Sequence, residues 1–236
     1  MRAVILAGGK GTRLAPYTKI LPKPLVPIGD MPIMEVMIRQ LRRAGIDEII
    51  LAVGHLASLV QAFFGNGSQF GVKISYSYEE APLGTIGPLA LMPRPQGTFL
   101  VMNGDILTTL NLRNLLSFHK NNRVLATIAM HKRCVKIDLG VIECNADNRV
   151  TGYLEKPAHH YAASMGVYVF EPRLLDHIPP MQYLDFPDLI NRLIQAGEPV
   201  AAYPFEGYWQ DLGRPDDYEQ AARDFETMRE QFLGEE

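Results

Sequence analysis

The sequence predicts an α/β fold: a doubly wound, mainly parallel sheet flanked by helices, with a small antiparallel patch. Two observations carry that expectation. Short apolar runs alternate with helix-period stretches through the first half, as parallel βαβ units require. Two loops that follow such runs, residues 6–14 and 103–105, carry glycines. In an open α/β sheet, ligands bind beyond the carboxyl ends of the strands.

Taken in order, Ala3-Val4-Ile5-Leu6 reads as a buried strand and Ile49-Ile50-Leu51-Ala52-Val53 as another. Leu56, Leu59, Val60, Phe63 and Phe64 then recur at the spacing of one helix face. Residues 72–78 form a strand, and Phe99-Leu100-Val101-Met102 a short buried one. Residues 112–119 are helical and 124–130 extended. Residues 139–143, 149–154 and 162–170 are expected to form the antiparallel patch, laid over the ligand site. A helix follows at 185–195 and a short strand at 200–203. The final helix aligns Tyr218, Ala221, Ala222, Phe225, Met228 and Phe232 on one stripe, with Pro215 near its start. No internal repeat or low-complexity segment is visible.

The 236 residues, 47% of them hydrophobic, fit a single domain over 1–236 with halves of about 1–110 and 111–236. The lack of a long apolar run argues against a membrane span. The chain enters a strand at once, so no signal peptide is expected. Two cysteines, Cys134 and Cys144, are expected to be reduced thiols in a cytoplasmic compartment. The net charge of -3 argues against nucleic acid as a partner. Anionic ligands must be met by local cations instead.

Such cations sit in Leu6-Ala7-Gly8-Gly9-Lys10-Gly11-Thr12-Arg13-Leu14 and in Pro22-Lys23-Pro24. The glycines allow positive φ and let backbone N–H groups face an anion. Lys10, Arg13 and Lys23 add donors suited to phosphate oxygens. A Walker A loop is absent, and the dinucleotide pattern G-x-G-x-x-G fails at Leu14. Pro16, Pro22, Pro24 and Pro27 suggest an ordered path across a site. The combination predicts a bound polyphosphate, such as a nucleotide.

Residues 6–25 read L-A-G-G-x-G-T-R-L-x-P-x-T-x-x-x-P-K-P-L. This run resembles the signature of the sugar-1-phosphate nucleotidyltransferases. The resemblance continues through Gly104-Asp105, Glu155-Lys156-Pro157 and Trp209-Gln210-Asp211-Leu212-Gly213, and so spans nearly the whole chain. It is nearest to mannose-1-phosphate guanylyltransferase-like members, without the C-terminal β-helix of some relatives. It implies a Rossmann-like mixed sheet and the reaction of an NTP with a sugar-1-phosphate to give an NDP-sugar and pyrophosphate. The oxygen of the sugar phosphate attacks the α-phosphorus in line, and no protein nucleophile is needed. The implied cofactor is Mg²⁺, held by Asp105 and Asp211.

By the same resemblance, Arg13 contacts the β/γ-phosphates together with the backbone of Gly9, Lys10, Gly11 and Thr12. Leu6, Ala7, Gly8 and Gly104 complete the nucleotide floor. Lys23 meets the α-phosphate and the sugar phosphate. Glu79, Pro82, Gly84 and Thr85 surround the base, while Gly140, Glu155, Lys156 and Gly166 serve the sugar phosphate. Family members with Asn-x-Gly near the last glycine differ from Ser164-Met165-Gly166 here. An ionised Glu79 offers only acceptors. Guanine presents two adjacent donors to it, whereas uracil and thymine present one, so GTP is favoured. Mannose or a manno-heptose is the favoured sugar. A uridylyl- or thymidylyltransferase acting on glucose or an amino sugar stays open, as does an inactive nucleotide-sugar sensor. Assembly into a homo-oligomer is also open. His55 reads as a helix-cap residue and His159-His160 as a loop pair. Trp209 reads as packing behind Asp211, and Met165 and Met181 as gap fillers.

Overall fold

The computed structural model describes residues 1–79 and 81–234. Its elements run β1 (Arg2–Ala7), β2 (Pro27–Ile28), β3 (Met31–Pro32), α1 (Ile33–Arg43), β4 (Glu48–Val53), α2 (Ala57–Phe64), β5 (Lys73–Tyr78), β6 (Phe99–Asn103) and β7 (Ile106–Thr108). There follow α3 (Leu112–Asn122), β8 (Ala126–Lys136), β9 (Val141–Cys144), β10 (Val150–Leu154), β11 (Ala158–Phe170), α4 (Phe186–Gln195), β12 (Val200–Phe205), β13 (Trp209–Asp211) and α5 (Pro215–Leu233).

Among the described residues, seven strands form the central sheet in the order β12-β8-β11-β6-β1-β4-β5. Strand β1 pairs parallel with β4 and β6, β4 with β5, and β8 with β12. Strand β11 runs antiparallel between β6 and β8, so the sheet is mixed. Alternate residues of β1 face opposite layers, as the period of two requires. Ala3 and Ile5 pack with Met34, Ile38, Val60 and Leu115 from α1, α2 and α3. Val4 packs on the other side with Leu189 and Leu193 of α4. A third apolar cluster joins Phe225 and Phe232 of α5 to Val36, Leu107 and Leu212.

Three expectations are corrected by the fold. Residues 162–170 belong to β11 inside the central sheet and not to a patch over the site. From Met165 to Phe170 every residue is buried, which marks a strand covered on both faces. Gly166, at φ 72°, lies where the β11–β8 register shifts, and a bulge there needs the left-handed backbone. Of the strands expected in the patch, β9 and β10 form a separate antiparallel pair. Second, His159 and His160 lie on β11, facing Val135 and Cys134 of β8. Third, Met181 is exposed and fills no gap, whereas Met165 is buried. On α2, Val60 and Phe64 are buried but Leu59 and Phe63 stay largely exposed, so only part of the apolar stripe is covered. Helix α1 was not among the expected elements, although its apolar residues recur at helical spacing. No helix among the described residues is long and apolar enough to cross a membrane.

Candidate active site

At the carboxyl ends of β1, β4 and β6 a cleft of about 790 Å³ opens. Parts of its floor are glycine because little else fits, although a Cβ on Gly9 would meet nothing within 4 Å. A Cβ on Gly54 would sit 2.9 Å from the Gly8 carbonyl oxygen, and one on Gly8 would run into the Glu79 carboxylate. Beyond the floor, Gly11 adopts φ 61° and starts the short turn Thr12–Leu14. Its carbonyl accepts the Leu14 N–H at 2.9 Å and the Thr18 hydroxyl at 2.7 Å. The loop is therefore internally bonded along its course.

The cleft is lined by all of the residues expected to bind nucleotide: Leu6, Ala7, Gly8, Gly9, Lys10, Gly11, Thr12, Arg13, Glu79, Pro82, Gly84, Thr85 and Gly104. Lys23, Asp105 and Asp211 line it too. Glu80, beside Glu79, lies outside the described residues. The two aspartates arrive from distant parts of the chain. Asp105 follows β6 through Gly104, whose N–H donates to the Leu6 carbonyl at 2.9 Å. Strand β13 pairs antiparallel with β7, setting Asp211 opposite Ile106, and the Leu212 N–H donates to the Asp105 carbonyl at 2.9 Å. A short backbone ladder thus holds both carboxylates at one end of the cleft.

The charges at this end are interlocked. Lys23 forms an ion pair with Asp105. Asp211 opens onto the cleft, yet the surrounding protein mass strips enough water from it to raise its pKa above the ordinary carboxylate value. The Asp105 charge raises it further, while Lys23 and Arg13 pull it back. A Cβ on Gly213 would lie 3.2 Å from Asp211 Oδ1 and 3.4 Å from Arg13 Nη2, so both groups converge over that glycine. Behind Asp105, burial pushes the Tyr168 phenol up to about 12, so it stays neutral.

Two adjacent carboxylates, one of them held in an unfavourable field, are hard oxygen donors suited to a cation such as Mg²⁺. Among the described residues no group of three or more His, Cys, Asp or Glu could cage a metal alone. A donor set of two suits an ion that keeps waters and takes substrate phosphate oxygens as further ligands.

At the other end, Glu79 Oε2 accepts the Leu83 N–H at 3.0 Å. Gly84 has φ 80°, and the Thr85 N–H donates to Asp185 Oδ1 at 2.9 Å. Asn103, at the strand end expected to face ligand, lines the cleft, as do His55, Tyr183 and Asp185, which were not expected there as ligand-binding residues. The position of Gly54-His55 just after β4 was the available signal for His55, by the same strand-end rule that flagged residues 103–105. His55 precedes Leu56, which caps α2 with φ 55°. No local sequence signal marks Tyr183 or Asp185.

The sugar-phosphate set is not brought into the lining. Gly140, Glu155 and Lys156 flank the hairpin of β9 and β10. Lys156 has φ 45°, a conformation unusual for a side-chain-bearing residue and one that tends to be kept at functional turns. Gly166 backs the cleft indirectly, since a Cβ there would lie 2.6 Å from the Asn103 amide nitrogen. Trp209 donates from Nε1 to the Met165 carbonyl at 3.0 Å, and the Arg133 guanidinium covers its ring at 4.7 Å. The indole thereby anchors the strand that carries Asp211.

Residues 2–228 match the family model described as nucleotidyl transferase. The chain is 36% identical to a UTP–glucose-1-phosphate uridylyltransferase of Synechocystis over 94% of its own length and 63% of that protein. It is 34% identical to a mannose-1-phosphate guanylyltransferase of Mycobacterium tuberculosis over 94% of its length and 64% of that protein. The chain thus spans a little under two thirds of these curated relatives. A Bacillus anthracis structure, provisionally assigned as a glucose-1-phosphate thymidylyltransferase in complex with a sucrose, superposes with a TM-score of 0.77 at 25% identity, with both chains covered in full. HddC from Yersinia pseudotuberculosis complexed with GMP-PN shares the fold at a TM-score of 0.72 and 23% identity, over 95% of this chain and 99% of that one. With its glycine floor, paired aspartates and family match, the chain belongs to the nucleotidyl transferase family.

Proposed function

We propose that this chain transfers a nucleotidyl group from an NTP to a sugar-1-phosphate, releasing pyrophosphate. The carrying observation is the convergence of Asp105, Asp211, Lys23 and Arg13 in one glycine-floored cleft. In the reaction an oxygen of the sugar phosphate forms a bond to the α-phosphorus while the bond to the β-phosphate oxygen breaks. No proton or electron need be exchanged with the protein. The task of the chain is to hold two anions in line and to stabilise charge on the pentavalent centre.

Backbone N–H groups of residues 8–12 and the Arg13 guanidinium suit the leaving pyrophosphate. Lys23, paired with Asp105, is placed to exchange that carboxylate for phosphate oxygens as substrate enters. Asp105 and Asp211 would hold Mg²⁺, whose chemistry when bound is to neutralise and align the phosphate oxygens.

Guanine and a mannose-type sugar phosphate are the favoured pair. Support comes from the acceptor-only Glu79 in the cleft and from relatives at 32–34% identity described as mannose-1-phosphate guanylyltransferases. Glu79 already spends one lone pair of Oε2 on the Leu83 N–H, so a base would be read by the others. A second reading, UTP with glucose-1-phosphate, is favoured by the Synechocystis relative. Pyrophosphate release with the four common NTPs, each against mannose- and glucose-1-phosphate with Mg²⁺, tests both. Turnover highest with GTP and mannose-1-phosphate is expected. Preference for UTP would replace the guanine assignment, and silence with every pair would overturn the enzymatic one.

A further inference from the structure

Asp185 stands at the N-cap of α4, where an aspartate ordinarily accepts N–H groups of its own helix. Its side chain makes no such bond. It reaches across to accept the Thr85 N–H through Oδ1 at 2.9 Å, and through Oδ2 it accepts the Tyr183 hydroxyl at 2.8 Å. The exchange is reciprocal: Thr85 Oγ1 accepts the Phe186 N–H at 2.7 Å and so caps α4 from the opposite loop. The backbones are stitched as well. Leu184 N–H donates to the Leu83 carbonyl at 2.9 Å, and the Ile86 and Gly87 N–H groups share the Leu184 carbonyl at 3.1 and 3.2 Å. Gly84 fits against that carbonyl only because it has no Cβ; one would lie 2.5 Å from the oxygen. Tyr183 is 63% exposed and lines the cleft beside Gly84 and Thr85.

Resting on the nucleotidyl-transfer reading above, we propose that Asp185 and Tyr183 set the base end of the cleft. Asp185 is a positioning residue that acts through the Thr85 N–H. Tyr183 is a wall residue that presents its ring to the nucleobase. A helix-capping carboxylate diverted from its own helix to a neighbouring loop gives up local stability, and the loop it holds is the one that carries Gly84 and Thr85 into the cleft. The phosphate end is built from other residues. The clamp therefore governs nucleotide affinity and base discrimination, and leaves the transfer step alone.

The test compares D185A, D185N, Y183A and Y183F with the parent chain, by steady-state kinetics and by calorimetric titration with GTP and UTP. D185A is expected to raise KM and Kd for the nucleotide about tenfold with kcat changed less than about threefold, the loss typical of one charge-assisted hydrogen bond. KM for the sugar phosphate should not move. D185N keeps an acceptor for Thr85 and should restore near-parental affinity. Y183A should weaken nucleotide binding and narrow the ratio between bases, and Y183F, which keeps the ring but loses the bond to Asp185, should do so less. If D185A fails to fold, Y183A decides the matter. Nucleotide KM and Kd unchanged in D185A and Y183A would overturn the proposal, as would equal losses in kcat and kcat/KM. Where the parent turns over and the variants match it, this inference alone fails. Where the parent neither turns over nor binds any nucleotide, the functional reading fails and takes this inference with it.

Discussion

Lys23, held between Pro22 and Pro24, has Asp105 as its ion-pair partner. An ammonium so placed does little for ground-state binding, because it must leave one anion to meet another. Its worth lies in the charge that develops during transfer. K23A is therefore expected to lower kcat by about 10²- to 10³-fold while nucleotide KM changes little, as for loss of one donor aimed at a transition state. Parallel falls in affinity and rate would assign Lys23 to binding instead. A second residue makes a prediction away from the cleft. His119 is buried, bonded at Nδ1 to Thr127 Oγ1 at 2.8 Å and at Nε2 to Glu171 at 3.2 Å. Burial lowers its pKa below the ordinary 6.5, and Glu171 only partly offsets this. The native state thus binds fewer protons than the unfolded chain once pH drops below 6.5, so stability falls as pH falls from there through the native pKa. Urea midpoints measured between about pH 7 and pH 5 should show the parent losing its advantage over H119Q as acid is added. A constant difference would remove His119 as the cause.

Strand and loop elements explain how much could be read in advance. The glycine loop was legible because its chemistry is local: a strand end, small residues and cations within one run of sequence. Strands β1, β4 and β6 were legible for the same reason, each being a short apolar run. Strand β11 was misassigned because its outer half, residues 158–164, is mostly exposed while 165–170 is buried on both faces, so no single pattern covers it. The clamp on the loop at 83–87 was invisible, since both of its partners, Tyr183 and Asp185, come from about a hundred residues further along. This loop carries its own prediction. Gly84 combines a left-handed φ of 80° with the close Leu184 carbonyl. G84A should destabilise the fold by about 1–3 kcal/mol and weaken nucleotide binding at the same time. Thermal or urea unfolding together with a GTP titration would register both. An unchanged midpoint would mean that the loop relaxes freely, and the clamp would then be too soft to position a base.

Over the whole molecule, the aspartate pair is the feature that sequence spacing could not supply. The β7–β13 ladder brings Asp211 to Asp105, and that ladder is itself supported from the far side by α5. Phe232 is fully buried, with ring centroids 5.2 Å from Tyr208 and 5.7 Å from Phe225. Tyr208 in turn is tied to β7 and the residue after it: its carbonyl accepts the Thr108 hydroxyl at 2.8 Å, and its N–H donates to Thr109 Oγ1 at 3.1 Å. Gln40 of α1 closes the assembly by donating to the Thr108 carbonyl at 2.8 Å and the Phe232 carbonyl at 3.1 Å. Removing the Phe232 ring leaves a cavity that these hydrogen-bonded neighbours cannot easily close, so F232A should cost about 3–5 kcal/mol in urea unfolding. The ladder bonds between Asp211 and Ile106 do not use that ring. Activity per folded molecule at saturating Mg²⁺ should accordingly stay within about threefold of the parent, as for a site separated from the lesion. If F232A instead kept its stability and lost its turnover, α5 would have to act on the carboxylates directly, and the division into a catalytic ladder and its apolar support would be wrong.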